Sequence, residues 1–256
     1  MVYLKTYKEI DLMRESSSLV ARTHAELAKV IKPGVNLIKL DKLAEEFIRD
    51  HGGIPAFKGY NGFPNTLCIS RDQEVVHGIP TDIEVEEGAI LSIDCGVLMN
   101  GFYGDSAYTF PVGDISVKKR QLLDVTKAAL KVGVDSAIYG NTTGDIGYAI
   151  QQFTEAHGYS IVKELVGHGI GKELHESPEV PNYGMQGSGV LLEHGIVLAI
   201  EPMINIGEAA VFQKKDGWTI ETQDGLPSAH YEYTVAITKE KTEILSSFNM
   251  IEENLN

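Results

Sequence analysis

Five residues of this chain have the types and surroundings of a metal centre: Asp94, Asp105, His168, Glu201 and Glu232. Asp94 and Asp105 fall in two β-rich runs that flank Asn100-Gly101, the dipeptide that most strongly marks a two-residue hairpin turn. If that turn forms, Met99 faces Phe102 and Asp94 lies opposite Ala107. Side chains alternate faces with period two, so Asp94 and Asp105 then project from one face as diagonal neighbours, their Cβ atoms roughly 7 Å apart. Asp94 follows the run Ile-Leu-Ser-Ile, where an unpaired carboxylate is costly, and a metal is one partner that settles both charges. Glu201 follows the apolar run Ile196–Ile200, Glu232 precedes another β-rich run, and His168 sits in VGHGIG. Four carboxylates and an imidazole without a thiolate suit Mn, Fe, Co or Zn, and a pair of ions about 3.5–4 Å apart better than one structural zinc. Two carboxylates would bridge the ions, and a water between them would be acidified to a hydroxide nucleophile near neutral pH.

Other readings of the same residue types bound this one. His168 between glycines also reads as a turn histidine. His24, His51, His157, His194 and His230 fall on predicted helices, caps or turns and read as structural. Cys95 neighbours Asp94 and points to the opposite face, which makes it a core residue. GHGIGK looks like a phosphate loop, but its spacing is wrong and Glu173 stands where Ser or Thr is needed. His77 in VVHGIP and His175 in LHESP lie beside turns, where an imidazole can face a cleft and hydrogen-bond a peptide carbonyl or an amine.

Helices and strands must carry these side chains. Helical spacing predicts a helix over 6–31, ending at Pro33-Gly34, and further helices over about 40–50, 121–136 and 145–156. The remainder is β-rich. The second half repeats the first: Gly34 and His51-Gly52 recur as Gly140 and His157-Gly158 at an offset of 106, and the run from Gly88 to Asp94 recurs from Gly195 to Glu201 at an offset of 107. Two copies of about 110 residues suggest a pseudo-two-fold single domain over 1–256, with halves of about 1–113 and 114–256 and an active site shared between them. No linker separates the halves.

Composition excludes several classes. A chain of 256 residues with 43% hydrophobic content can bury a full core. It has no apolar run of about 18 residues and no signal-peptide pattern, so neither a membrane span nor secretion is expected. Two cysteines form no framework, which fits a reducing cytoplasm. A formal charge of −14 argues against broad nucleic-acid binding. Monomer is the expected state.

VHGIP, IDCGVLMNGFYGDSAYTFPVG, GHGIGKELHESP, AIEPMI, DGWTIET and YEYTVAIT resemble, in order, the motifs of type I methionine aminopeptidases, over about residues 5–247. The resemblance implies the pita-bread fold, an α/β (α+β) domain with a curved, mainly antiparallel sheet covered by helices. It implies two divalent ions held by Asp94, Asp105, His168, Glu201 and Glu232. Asp105 and Glu232 would bridge, Asp94 would belong to one ion, and His168 and Glu201 to the other. By the same analogy His175 stabilises the oxyanion, His77 contacts the substrate main chain or helps proton transfer, and Glu201 shuttles a proton. The methionine pocket would be Tyr60, Phe63, Cys68 and Trp218, edged by Phe57 and Leu174, an apolar lining that suits an unbranched thioether. Phe57, Asn61 and Leu174 depart from the better-known bacterial members. The 33 residues from His168 to Glu201 leave no space for the helical insertion of type II enzymes, and no N-terminal zinc-finger extension is evident. The implied reaction removes the initiator methionine from nascent polypeptides with a small second residue, in the cytoplasm and at the ribosome if the protein docks there. The rivals are a proline-specific peptidase of the same fold and an inert binding protein; such binding relatives lack metal ligands that are all present here.

Overall fold

The computed structural model describes residues 2–255. Its helices are α1 (Tyr7–Ala28), α2 (Leu37–Asp50), α3 (Val117–Ser136), α4 (Thr143–Ala156) and a short α5 (Asn249–Glu253). α1 opens on a capping box in which Thr6 and Glu9 satisfy each other's backbone N–H groups, and it buries Ile10, Met13, Val20 and Leu27. It stops at Ala28, three residues short of the expected end. α2 starts three residues earlier than expected, because the Asn36 side chain accepts from Lys39 N. α3 starts four residues early for the same reason, with Ser116 accepting from Lys119 N ahead of a first turn whose lysines hide the apolar period. α4 opens on a second capping box, Thr142 with Asp145.

The hairpin forms in the expected register. Strands Ile90–Met99 and Phe102–Pro111 pair antiparallel, with Met99 opposite Phe102, Asp94 opposite Ala107 and Asp105 opposite Gly96. Asn100 and Gly101 both take positive φ, 54° and 77°, as a tight turn matching strand twist requires. Strands Ile54–Pro55 and Leu67–Arg71 complete this sheet. A second sheet runs in the order Thr242–Ile244, Tyr233–Ile237, Val197–Ile200, Gly167–Gly169, Glu176–Val180. Two three-stranded sheets lie beside them, and every ladder among the described residues is antiparallel. The helices cover the apolar sheet faces, and one large buried cluster takes in α1, α2, the hairpin, α3 and α4.

The repeat has a structural counterpart. Gly34 N donates to Val85 O and Gly140 N to Leu192 O, at 2.8 and 2.9 Å. The isolated bridges Asn36–Glu84 and Thr142–Leu191 keep the offsets of 106 and 107. His51 and His157 close their helices alike, each stacked on a phenylalanine and bonding its carbonyl. These two histidines are structural, as expected, and so is His24, whose Nε2 bonds Ser106 O at 2.9 Å within the core.

The two large sheets meet along one seam. Thr234 Oγ1 donates to Asp105 O and accepts from Asp105 N, and Glu232 N donates to Ala107 O. The seam brings the carboxylate hairpin against the strand that follows Glu232.

Candidate metal centre and adjoining pocket

All five expected ligands converge at this seam. Asp94 and Asp105 share one face of the hairpin, as the alternation dictates. His168 lies in the strand Gly167–Gly169, not in a turn. Glu201 follows the strand Val197–Ile200 at once, and Glu232 precedes Tyr233–Ile237. One ligand atom each from Asp105, His168 and Glu232 lies within 4.8 Å of the others. These three residues are 3%, 8% and 2% exposed. Asp94 Oδ1, Asp105 Oδ1 and Glu232 Oε1 are buried without a hydrogen-bond partner. Three orphaned carboxylate oxygens pointing into one volume fit a divalent cation, since buried acceptors otherwise find donors. His168 Nδ1 contacts Gly169 O at 2.9 Å. A carbonyl can only accept, so Nδ1 carries the proton and Nε2 presents its lone pair to the carboxylates.

The electrostatics agree with that fit. Burial pushes Glu201 up to about 8, and burial followed by the Glu201 charge pushes Asp94 up to about 7 against the pull of His230 and hydrogen bonds. Asp105 and Glu232 go well above the carboxylate range because burial is compounded by their acidic neighbours. Burial lowers His168 to about 3 and His230 to about 4. Both imidazoles are therefore neutral, and their contacts with Glu201 at 3.6 and 3.5 Å are not ion pairs.

His230 corrects the expectation that it is a structural residue of a helix, cap or turn. It closes the strand Ser228–His230, is 2% exposed, and directs an unpartnered Nε2 at Glu201 Oε2. Its place two residues before Glu232 was the available signal.

A cavity of about 200 Å³ has the carboxylates and His168 as one part of its lining and an aromatic, apolar wall as another. Its walls include every expected pocket residue: Phe57, Tyr60, Phe63, Cys68, Leu174 and Trp218. Phe63 and Trp218 meet edge to face at 5.1 Å. Cys68 pairs across the ladder with Asp94 and so shares its face, while burial holds its thiol protonated. Cys95 points into the core instead. His77, at φ 58°, and His175 line the mouth, and Tyr60 Oη lies 2.8 Å from His175 Nδ1. Burial lowers both imidazoles, His77 to about 4. Asn61 reaches the same cavity.

The comparisons with known proteins agree with this geometry. The pattern described as Metallopeptidase family M24 matches residues 11–239. A methionine aminopeptidase of Clostridium acetobutylicum is 49% identical over 247 residues, 96% of this chain and 99% of that protein. The crystal structure of methionine aminopeptidase from Rickettsia prowazekii superposes with a TM-score of 0.95 at 40% identity, covering 96% of this chain and all of that one. The prolidase from Pyrococcus furiosus shares the fold, with a TM-score of 0.77 at 23% identity over 95% of this chain and 65% of its own. The chain belongs to metallopeptidase family M24, whose members here share the pita-bread fold.

Proposed function

We propose that this protein is an aminopeptidase that removes N-terminal methionine from polypeptides with a small second residue, using divalent metal ions. The observation that carries the reading is the set of orphaned buried carboxylate oxygens in residues that line one cavity with an aromatic, apolar wall. Asp94, Asp105, His168, Glu201 and Glu232 would hold two divalent ions. Bound there, Mn, Fe, Co or Zn supplies an acidified water and polarises the scissile carbonyl.

The chain's own groups do the rest. Phe57, Tyr60, Phe63, Cys68, Leu174 and Trp218 take the methionine side chain, whose flexible thioether fills an aromatic cleft without a polar partner. His77 binds the substrate main chain. Glu201 takes the proton of the attacking water and gives it to the leaving amine. His175 is neutral, so only one of its nitrogens bears a proton. A hydrogen bond donated by the Tyr60 hydroxyl to Nδ1 leaves that proton on Nε2, where it stabilises the oxyanion of the tetrahedral intermediate.

No helix among the described residues is long and apolar enough to cross a membrane. We assign the enzyme to nascent chains in the cytoplasm, acting as a monomer whose residues 1–256 form one catalytic domain of two halves. Ribosome docking belongs to the same proposal. The test strips the metal and adds back Mn, Co, Fe or Zn separately, with Met-Ala-Ser and Ala-Pro-Ser as substrates. Metal-dependent release of methionine alone supports the reading. Cleavage only before proline moves the protein to the prolidase-like branch, and silence with every metal refutes catalysis.

A further inference from the structure

The ion pair Lys5–Glu176 takes no part in the chemistry above, yet it is one of the most deeply buried in the protein. Lys5, ahead of α1, is 3% exposed and its Nζ donates to Glu176 Oε2 at 2.6 Å. Taking both charges from water is offset only by good geometry and further hydrogen bonds, and apolar replacements of such pairs are often no less stable. Fold stability alone therefore does not account for it.

The surroundings supply a reason. The other oxygen of Glu176, Oε1, accepts Lys172 N and Glu173 N at 2.8 and 3.2 Å. One carboxylate thus closes the loop 170–176 on itself and fastens it to the segment before α1. A Cβ on Gly171 would stand 2.6 Å from both Glu176 Oε1 and Lys5 Cε, so only glycine leaves room for the pair. On the other side, Lys5 N donates to Gly195 O at 2.7 Å. A Cβ on Gly195, at φ +94°, would stand 2.5 Å from Lys5 O. The last glycine of GHGIGK, which no phosphate loop explains, makes space for a lysine 166 residues earlier in the chain. The loop it belongs to carries Leu174, a wall of the cavity, and His175 at its mouth.

We propose that Lys5 is a positioning residue for hydrolysis: through Glu176 it holds the loop that presents Leu174 and His175 to the substrate. The inference rests on His175 as the oxyanion donor. A donor displaced by about 1 Å loses on the order of 100-fold in rate.

Two variants separate positioning from stability. Lys5→Met leaves Glu176, whose side chain is 13% exposed, without its ion partner and is expected to unfold more easily. The double variant Lys5→Met/Glu176→Gln removes both charges, while the carbonyl oxygen of the introduced side-chain amide still accepts the two loop N–H groups. Each is measured for melting temperature, for kcat and KM on Met-Ala-Ser with metal added, and for amide hydrogen exchange over residues 170–176 without metal. The double variant is expected to melt near the wild type, to lose kcat by about 100-fold, and to exchange its loop amides at least roughly tenfold faster. A double variant with kcat within about twofold of wild type, or with unchanged loop protection, overturns the proposal. A wild type that releases no methionine refutes the aminopeptidase reading instead, and the exchange arm still decides whether Lys5 holds the loop.

Discussion

Removing the metal should make stability depend on pH in a direction opposite to that of ordinary carboxylate-stabilised proteins. Unfolded, Asp and Glu titrate near 3.9 and 4.3, whereas folded Asp94 is raised to about 7 and Glu201 to about 8, and Asp105 and Glu232 are also raised, by burial and then by neighbouring carboxylates. Between about pH 6.5 and 8 the folded metal-free protein holds protons that the unfolded chain has lost, so unfolding becomes easier as pH rises. The slope is about 1.4 kcal/mol per pH unit for each excess proton. One proton held on Glu201 across that window amounts to about 2 kcal/mol, or roughly 4–8 °C in Tm. The histidines do not contribute there, because unfolded imidazoles are mostly neutral above about 6.5. Below that pH they act the other way. His77, His168 and His230 stay neutral in the fold down to about 3–4, so the unfolded chain takes up their protons first; they offset part of the carboxylate effect and flatten the dependence below about pH 6.5. The assay is urea unfolding followed by circular dichroism, after exhaustive chelation, at half-unit steps from about pH 5 to 8.5. Saturating Mn should abolish the decline on the alkaline side, because ions replace the protons. Metal-free stability that is flat or rising from about pH 6.5 to 8 would refute the reasoning.

Asp105→Ala should abolish metal-dependent methionine release while raising the metal-free Tm at about pH 8, since it removes one of several crowded buried carboxyls that disfavour one another's ionisation; an active Asp105→Ala enzyme would contradict the ligand assignment. His175→Ala should lower kcat by about 100- to 1000-fold, as loss of an oxyanion donor does, with little change in KM. Tyr60→Phe keeps the ring in the cavity and removes only the hydroxyl beside His175 Nδ1, so kcat should fall up to about tenfold; the ¹⁵N shifts of His175 would show whether its tautomer changes. Trp218→Ala should raise KM for methionyl peptides more than it lowers kcat, because it opens the wall that Phe63 packs against.

The hairpin could be read from the chain residue by residue, because Asn100-Gly101 and a two-residue period leave one register, and Asp94 opposite Ala107 followed. Glu201 and Glu232 were legible because each abuts an apolar strand. His230 was not: its strand is three residues long, too short for a period to show, and its partner Glu201 lies 29 positions away. Helix starts were misplaced where a polar cap precedes the apolar stripe, as at Asn36 and Ser116. The Lys5–Glu176 pair was invisible for a different reason. A charged residue before a capping box looks like solvent-facing punctuation, and nothing local announces that two distant glycines have cleared space for it.

The seam that joins the carboxylate hairpin to the strand after Glu232 has a consequence for how the enzyme holds together. Asp94 and Asp105 stand on one side of it, and His168, Glu201 and Glu232 stand on the other. Ions that bind only when both sides are in register stabilise that docking by mass action. Their affinity is then a measure of how tightly the two sheets are shut. With those five residues as the ligands, any motion that parts the sheets would weaken metal retention, and exchange of metal with the medium would report opening of the seam.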